Sequence, residues 1–151
     1  MIMRHATQAG IGFIKGWEVF VPTIYVCAAG YRTIYWGHVV RPGEIFDGTE
    51  EDGEKYLRQD LVGAELAVLR NINVPLSACQ FDALVSFTFN VGGVALQRST
   101  LRQVLNREDY DEVPAQMVRW VYGGGRILKG LVRRRQAEAQ MFMGGLICPS
   151  K

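Results

Sequence analysis

Thr49-Glu50-Glu51-Asp52-Gly53-Glu54-Lys55-Tyr56-Leu57-Arg58-Gln59-Asp60-Leu61-Val62-Gly63-Ala64-Glu65-Leu66-Ala67-Val68-Leu69-Arg70-Asn71-Ile72-Asn73-Val74-Pro75 is the stretch on which the architecture turns. Thr49 can cap a helix with its side-chain oxygen, and Glu50, Glu51 and Asp52 put negative charge in the first turn, where the helix dipole favours it. Leu57, Leu61, Ala64, Val68 and Ile72 then recur at helical spacing. Residues 53–71 are therefore expected to form one long amphipathic helix, ended by Asn73 and Pro75.

The two sides of this helix differ in character. Before it, Ile24, Tyr25, Val26, Ile34, Tyr35, Trp36, Val39 and Val40 are β formers punctuated by Gly30, Gly37 and Pro42-Gly43. Two or three short antiparallel strands are expected there, preceded by a short helix over Thr7 to Trp17 that leaves Glu18 at its C-terminal end. After it, Ser77-Ala78-Cys79-Gln80 has the capping-box pattern and opens an apolar helix running to Gly92-Gly93. Shorter helices are expected over Thr100–Asn106 and Tyr110–Trp120, with Pro114 tolerable only near the start of the latter. Gly123-Gly124-Gly125 reads as a loop, and Leu131–Met143 as a last helix closed by Gly144-Gly145. The fold class is α+β, with strands in the first third and helices in the rest.

Bulk properties narrow the function classes. The chain has 151 residues, enough for one domain or two small lobes. It has no run of about 18 apolar residues and no apolar core in its first ten residues of the kind a secretory signal carries. Cys27, Cys79 and Cys148 are odd in number and lack paired spacing, which speaks against a disulfide framework; with only His5 and His38 beside them, no metal site is expected. From Arg98 onward ten Lys or Arg face five acids, whereas the rest has seven against ten. A basic second half suits any polyanion, nucleic acid or bacterial envelope alike.

Glu18, Cys27 and Thr33 stand nine and six positions apart. That spacing resembles the Glu–Asp/Cys–Thr triad of the phage-type lysozymes, the endolysins of the T4 and lambdoid kind, in the branch that carries cysteine. Two further blocks are similar to lambdoid endolysins: Gln80-Phe81-Asp82-Ala83-Leu84-Val85-Ser86-Phe87-Thr88-Phe89-Asn90-Val91-Gly92, and Trp120 to Arg126 followed by Gly130-Leu131-Val132-Arg133-Arg134-Arg135-Gln136-Ala137-Glu138. The resemblance covers nearly the whole chain. It implies a single two-lobed lysozyme domain over 1–151: a sheet lobe about 18–52, a linking helix about 53–71, and a helical lobe about 73–145 packed with helix 7–17. It also implies a muramidase cutting the β-1,4 bond between N-acetylmuramic acid and N-acetylglucosamine in bacterial peptidoglycan, without cofactor or metal. The expected partner is then the wall rather than nucleic acid, and the expected state is a monomer with no membrane anchor. Such a protein accumulates in the host cytoplasm and reaches the wall through a holin.

Within that resemblance Glu18 is the candidate general acid. A free glutamate is ionised at neutral pH, so its site has to favour the protonated form; the helix end and apolar Ile14, Trp17 and Phe20 push that way. Val21 stands where relatives often have arginine, which removes one cation from the carboxyl's surroundings. Cys27 has three open roles: base toward water, nucleophile forming a glycosyl intermediate, or a group that only shapes the water site. Thr33 offers a hydroxyl to the same water. Tyr35 and Trp36 replace the family's usual Gly-Tyr before Gly37-His38, and are expected to place side chains beside the cleft. Tyr35, Trp36, His38 and Arg126 are thus the candidate substrate contacts, His38 being more suited to structural hydrogen bonding. Arg133, Arg134 and Arg135 are placed to reach toward Glu18 or toward substrate carboxylates. The rivals are a thiol peptidase or amidase pairing Cys27 with His38, and a non-enzymatic wall-binding module.

Overall fold

A computed structural model describes residues 2–144. Helix α1 (Gln8–Lys15) is capped by Thr7, whose side chain accepts from the Gly10 amide. Asp82 locks this cap from below. Its carboxylate accepts from the Thr7 amide at 2.9 Å and from the Thr7 hydroxyl, and Gly10 has no room for a Cβ, which would sit 2.4 Å from the Asp82 carboxyl carbon.

The sheet lobe follows as three antiparallel strands in the order β1 (Val21–Val26), β2 (Arg32–Tyr35), β3 (His38–Val39), with Tyr25 opposite Thr33 and Ile34 opposite His38. β1 begins earlier than the apolar pattern suggested and is almost wholly exposed, whereas β2 buries Thr33, Ile34 and Tyr35. A small core of Ile34, Tyr35 and Tyr56, lined by Phe20, Val40 and Phe46, sits between this sheet and helix α2.

Helix α2 (Glu50–Asn71) is the long linking helix, starting three residues before the expected position 53 because Thr49 caps it through the Asp52 amide. It buries Leu57, Leu61, Ala64 and Val68. Gly53 lets the sheet approach its first turns, for a Cβ there would meet Phe20 and Trp36 at 3.0 Å and Tyr35 at 3.2 Å. Buried Glu65 is matched by the Ala6 amide at 2.6 Å and by His5 Nδ1 at 2.9 Å.

In the helical lobe, α3 (Ala78–Val91) has the full capping box of Ser77 and Gln80 and is the central core helix, with Phe81, Leu84, Val85 and Phe87 buried. Gly92, at φ 96°, turns the chain into a short helix, α4 (Gly93–Arg98), that the glycine pair concealed in the sequence. α5 (Thr100–Asn106) follows as expected. The segment expected as one helix from Tyr110 to Trp120 is instead a 3-10 turn over Tyr110–Glu112 and a short α6 (Val113–Met117), with Pro114 in its first turn. The glycine run is part of a two-stranded hairpin, β4 (Tyr122–Gly123) and β5 (Arg126–Ile127). Gly124 and Gly125, at φ 59° and 79°, supply its primed turn. Helix α7 (Lys129–Phe142) closes the lobe, packing mainly on α3 and α6. Cys79 is buried and disulfide-bonded, so the odd cysteine count did not exclude a bridge. Cys148 and the tail after Gly145 lie outside the described residues.

Candidate active site

Glu18 lies three residues beyond α1, and its amide still donates to the Ile14 carbonyl at 3.3 Å. The helix end thus sets its direction. Its side chain is 27% exposed and opens into a cleft of about 560 Å³ lined by Trp17, Asn90, Leu128, Leu131, Arg133 and Arg134. A second pocket of about 460 Å³ shares Asn90 and Leu131 and continues past Trp120 and Tyr122 to Arg119. Of these lining residues, Trp17 stands out in sequence only as an apolar neighbour of Glu18, while Asn90, Trp120, Tyr122 and Leu131 sit unmarked inside the two quoted blocks.

The Glu18 carboxylate is not free of cations. Arg134 Nη1 lies 3.1 Å from Glu18 Oε1, so the charge that Val21 does not supply comes from α7. Of the three successive arginines, Arg134 makes this reach. Arg133 is exposed on the cleft wall, and Arg135 is fully buried against Glu138.

Cys27 and Thr33 meet at the β1–β2 turn. The Cys27 amide donates to the Tyr31 carbonyl at 2.9 Å and the Gly30 amide donates to the Cys27 carbonyl at 2.9 Å, which closes the turn around the thiol. The Thr33 side chain, together with backbone N–H groups at Tyr31, Ala29 and Gly30, holds the thiol below its usual titration range, against a smaller opposing effect of burial. The lowering comes from Thr33 and the strand turn, with no helix N-terminus involved. Cys27 is the free cysteine among the described residues.

Thr33 is itself buried, 3% exposed, and its hydroxyl donates to the Tyr31 carbonyl at 2.9 Å. A hydroxyl has one proton to give. It can serve Tyr31 while the thiol is protonated and turn to the sulfur when the thiol ionises. Thr33 is therefore placed to tune Cys27 rather than to reach into open solvent.

The aromatic pair expected beside the cleft is elsewhere. Tyr35 is fully buried and Trp36 is 6% exposed, which leaves neither a face for a sugar. Tyr35 has φ 57°, the left-handed region where a glycine would sit without strain. Its ring stacks on Phe20 and Tyr56, and its hydroxyl donates to Asp52 at 2.5 Å while accepting from the Gly48 amide at 2.9 Å. Trp36 packs on Phe20 and receives the Lys15 ammonium 4.6 Å above its ring. His38 is 2% exposed, with Nδ1 2.9 Å from Asp60 and Nε2 2.9 Å from Glu44. It is a bolt between β3 and α2. Arg126 is exposed on the β4–β5 hairpin and does not line the Glu18 cleft, where Leu128 and Arg133 stand instead.

The sequence model of the phage lysozyme family matches residues 15–138, a span that takes in Glu18, Cys27, Thr33 and Arg134. The chain belongs to the phage lysozyme family. Among curated relatives, the endolysin of Bacillus phage B103 is 38% identical over 144 residues, covering 92% of this chain and 54% of that protein. The endolysin of Acyrthosiphon pisum secondary endosymbiont phage 1 is 35% identical, covering 91% of this chain and 97% of its own length. The chain thus spans about half of one relative and nearly all of the other. Among solved structures, the muramidase domain of SpmX from Asticaccaulis excentricus superposes with a TM-score of 0.82 at 33% identity, covering 97% of this chain and all of that one. The two-lobed α+β architecture is that of the phage lysozymes.

Proposed function

We propose that this lysozyme hydrolyses the β-1,4 bond between N-acetylmuramic acid and N-acetylglucosamine in bacterial peptidoglycan, with Glu18 as general acid and Cys27 as base toward water. Membership of the phage lysozyme family supports glycosidase chemistry of the endolysin type. The proposal takes in the activity, the bond cut and the division of labour. The observation that carries it is a part-exposed carboxyl, fixed by α1 and Arg134 in an open cleft, nine residues before a thiol whose proton is loosened by Thr33 and the turn.

Glycoside hydrolysis needs a proton for the leaving oxygen and a group that activates water on the other face of the sugar. Glu18 supplies the first. Cys27, whose thiolate Thr33 favours before the reaction, supplies the second: the sulfur takes water's proton and becomes the neutral thiol as the water oxygen bonds to the anomeric carbon. This assignment predicts inversion at the anomeric carbon. The exposed Arg133 and Arg119 line the cleft and its extension, where the carboxylates of the wall's peptide stems are the complementary charge.

A cysteine peptidase built on Cys27 and His38 is disfavoured, because both His38 ring nitrogens are engaged by carboxylates inside the sheet lobe. Among the described residues no helix is long and apolar enough to cross a membrane. Monomeric action on the wall, after holin-dependent release from the host cytoplasm, belongs to this proposal. Digestion of purified peptidoglycan tests the chemistry. New reducing sugar ends that vanish in E18Q are expected; new amino groups without reducing ends would overturn it.

A further inference from the structure

Arg134 is held from three sides. Its Nη1 takes Glu18 at 3.1 Å, its Nη2 takes the Ser86 carbonyl at 3.2 Å, and its Nε takes Glu138 Oε2 at 3.3 Å. Only the first of these partners opens to the cleft. Glu138 has no exposure, and its Oε2 also accepts from the Ser86 hydroxyl at 2.5 Å. Its other oxygen lies 2.9 Å from Arg135 Nη1, an ion pair without hydrogen-bond geometry, and Arg135 reaches on to Asn90 of the cleft lining.

We propose that Glu138 is a positioning residue for Glu18, acting through Arg134: it aims the guanidinium at the acid and offsets the charge that would otherwise strip the acid of its proton. The inference rests on the reading of Glu18 as general acid. A guanidinium beside a carboxyl favours the carboxylate, which is the form an acid catalyst cannot use. An arginine that orients Glu18 therefore needs its own charge tempered from behind. Two buried guanidiniums, Arg134 and Arg135, bear on this cluster from α7, with exposed Arg133 beside them; α3 contributes only the neutral Ser86 and Asn90. Glu138 is the carboxylate set between the two buried arginines. Burial pushes the Glu138 carboxyl up, and Arg135, Ser86 and Arg134 oppose that push, so the carboxylate depends on the partners that surround it.

The fork of the guanidinium matters as much as its charge. Nε bound to Glu138 and Nη2 bound to Ser86 fix the plane of the group, and that plane decides where Nη1 points. Lysine in place of Arg134 would keep the charge and lose the plane.

The test is the pH profile of reducing-end release by full-length wild type, E138Q, R134K and E18Q, with thermal melting as the check on folding. An acid catalyst is lost as pH rises, so Glu18 sets the basic limb. E138Q leaves Arg134 uncompensated, and its basic limb is expected to move about one pH unit toward acid, with kcat down roughly tenfold at pH 7 and KM within about twofold. A folded E138Q with the wild-type limb overturns the inference while leaving Glu18 in place. If E138Q does not fold, R134K decides: wild-type kcat and limb overturn the relay, whereas a lowered kcat at unchanged KM supports it. An E18Q protein that keeps full activity would remove the acid itself, a failure distinct from that of Glu138.

Discussion

Replacing Glu54 by glutamine should weaken the fold at neutral pH and make no difference in strong acid. Glu54 sits on α2 and ties down α1, the helix that leads into Glu18. Its Oε1 takes Lys15 at 2.6 Å and Gln8 at 3.1 Å, both from α1, and its Oε2 takes Arg58 at 3.3 Å. Lys15 and Gln8, with a smaller part from Arg58, hold its carboxyl down to about 2 from an ordinary value of 4.5. A group held down in this way adds stability above its unfolded value and loses it as pH falls through the folded one. The window is therefore from about pH 4.5 down to about 2. Taken without screening, the lowering sets a ceiling of about 3 kcal/mol. The side chain is still 26% exposed, and water and salt bring the expected gap between wild type and E54Q to about 1 kcal/mol at pH 7. For a chain of this length that is a fall in Tm of about 2–4 °C. Urea unfolding at pH 7, 4 and 2.5 measures it. The gap should narrow at each step, and a gap as large at pH 2.5 as at pH 7 would show that packing rather than charge holds α1 to α2.

Other expectations concern the site and its scaffold. Cys27→Ala should lower kcat by about 10²-fold or more with the fold intact, whereas Cys27→Asp should keep activity and move the acidic limb down by several pH units, since a carboxylate ionises far below a thiol. Isolation of a glycosyl thioether from wild type would replace the base by a nucleophile. Iodoacetamide should modify Cys27 faster in wild type than in Thr33→Val at pH 7, because Thr33 is the largest influence loosening the thiol proton; equal rates would detach Thr33 from the site. Tyr35→Phe should cost about 1–2 kcal/mol in urea melts by stranding Asp52 and the Gly48 amide. Tyr35→Gly should cost about 2–4 kcal/mol despite relieving the left-handed backbone, because the ring it removes is fully buried.

Local chemistry made much of this legible. Thr49 and Ser77 each cap a helix as the sequence indicates, and the strand-forming run before α2 does pair into a sheet. The errors share a cause: contacts remote in sequence. Nothing near Gly92 announces that the chain turns straight into α4, and three glycines look alike whether they make a loop or the turn of a hairpin. Tyr35 shows the same limit. Its position reads as a cleft substitution, but Gly53, eighteen residues on, leaves a gap on α2 into which the sheet packs. Likewise, the reach of Arg134 to Glu18 was one option among three adjacent arginines. Which of them turns inward depends on the helix face that α3 covers.

Glu18 and Arg134 are 116 residues apart, so the acid is made well before the arginine that orients it. During synthesis the sheet hairpin and the long helix can form while α7 is still missing. Glu18 then has neither its guanidinium nor the cleft wall that Leu131 and Arg133 provide. The proposed catalytic arrangement is therefore complete only once α7 has been made and has packed. On the proposed function, a product that stops short of α7 would carry the acid with neither its orienting arginine nor its cleft wall, and so would cut no glycan.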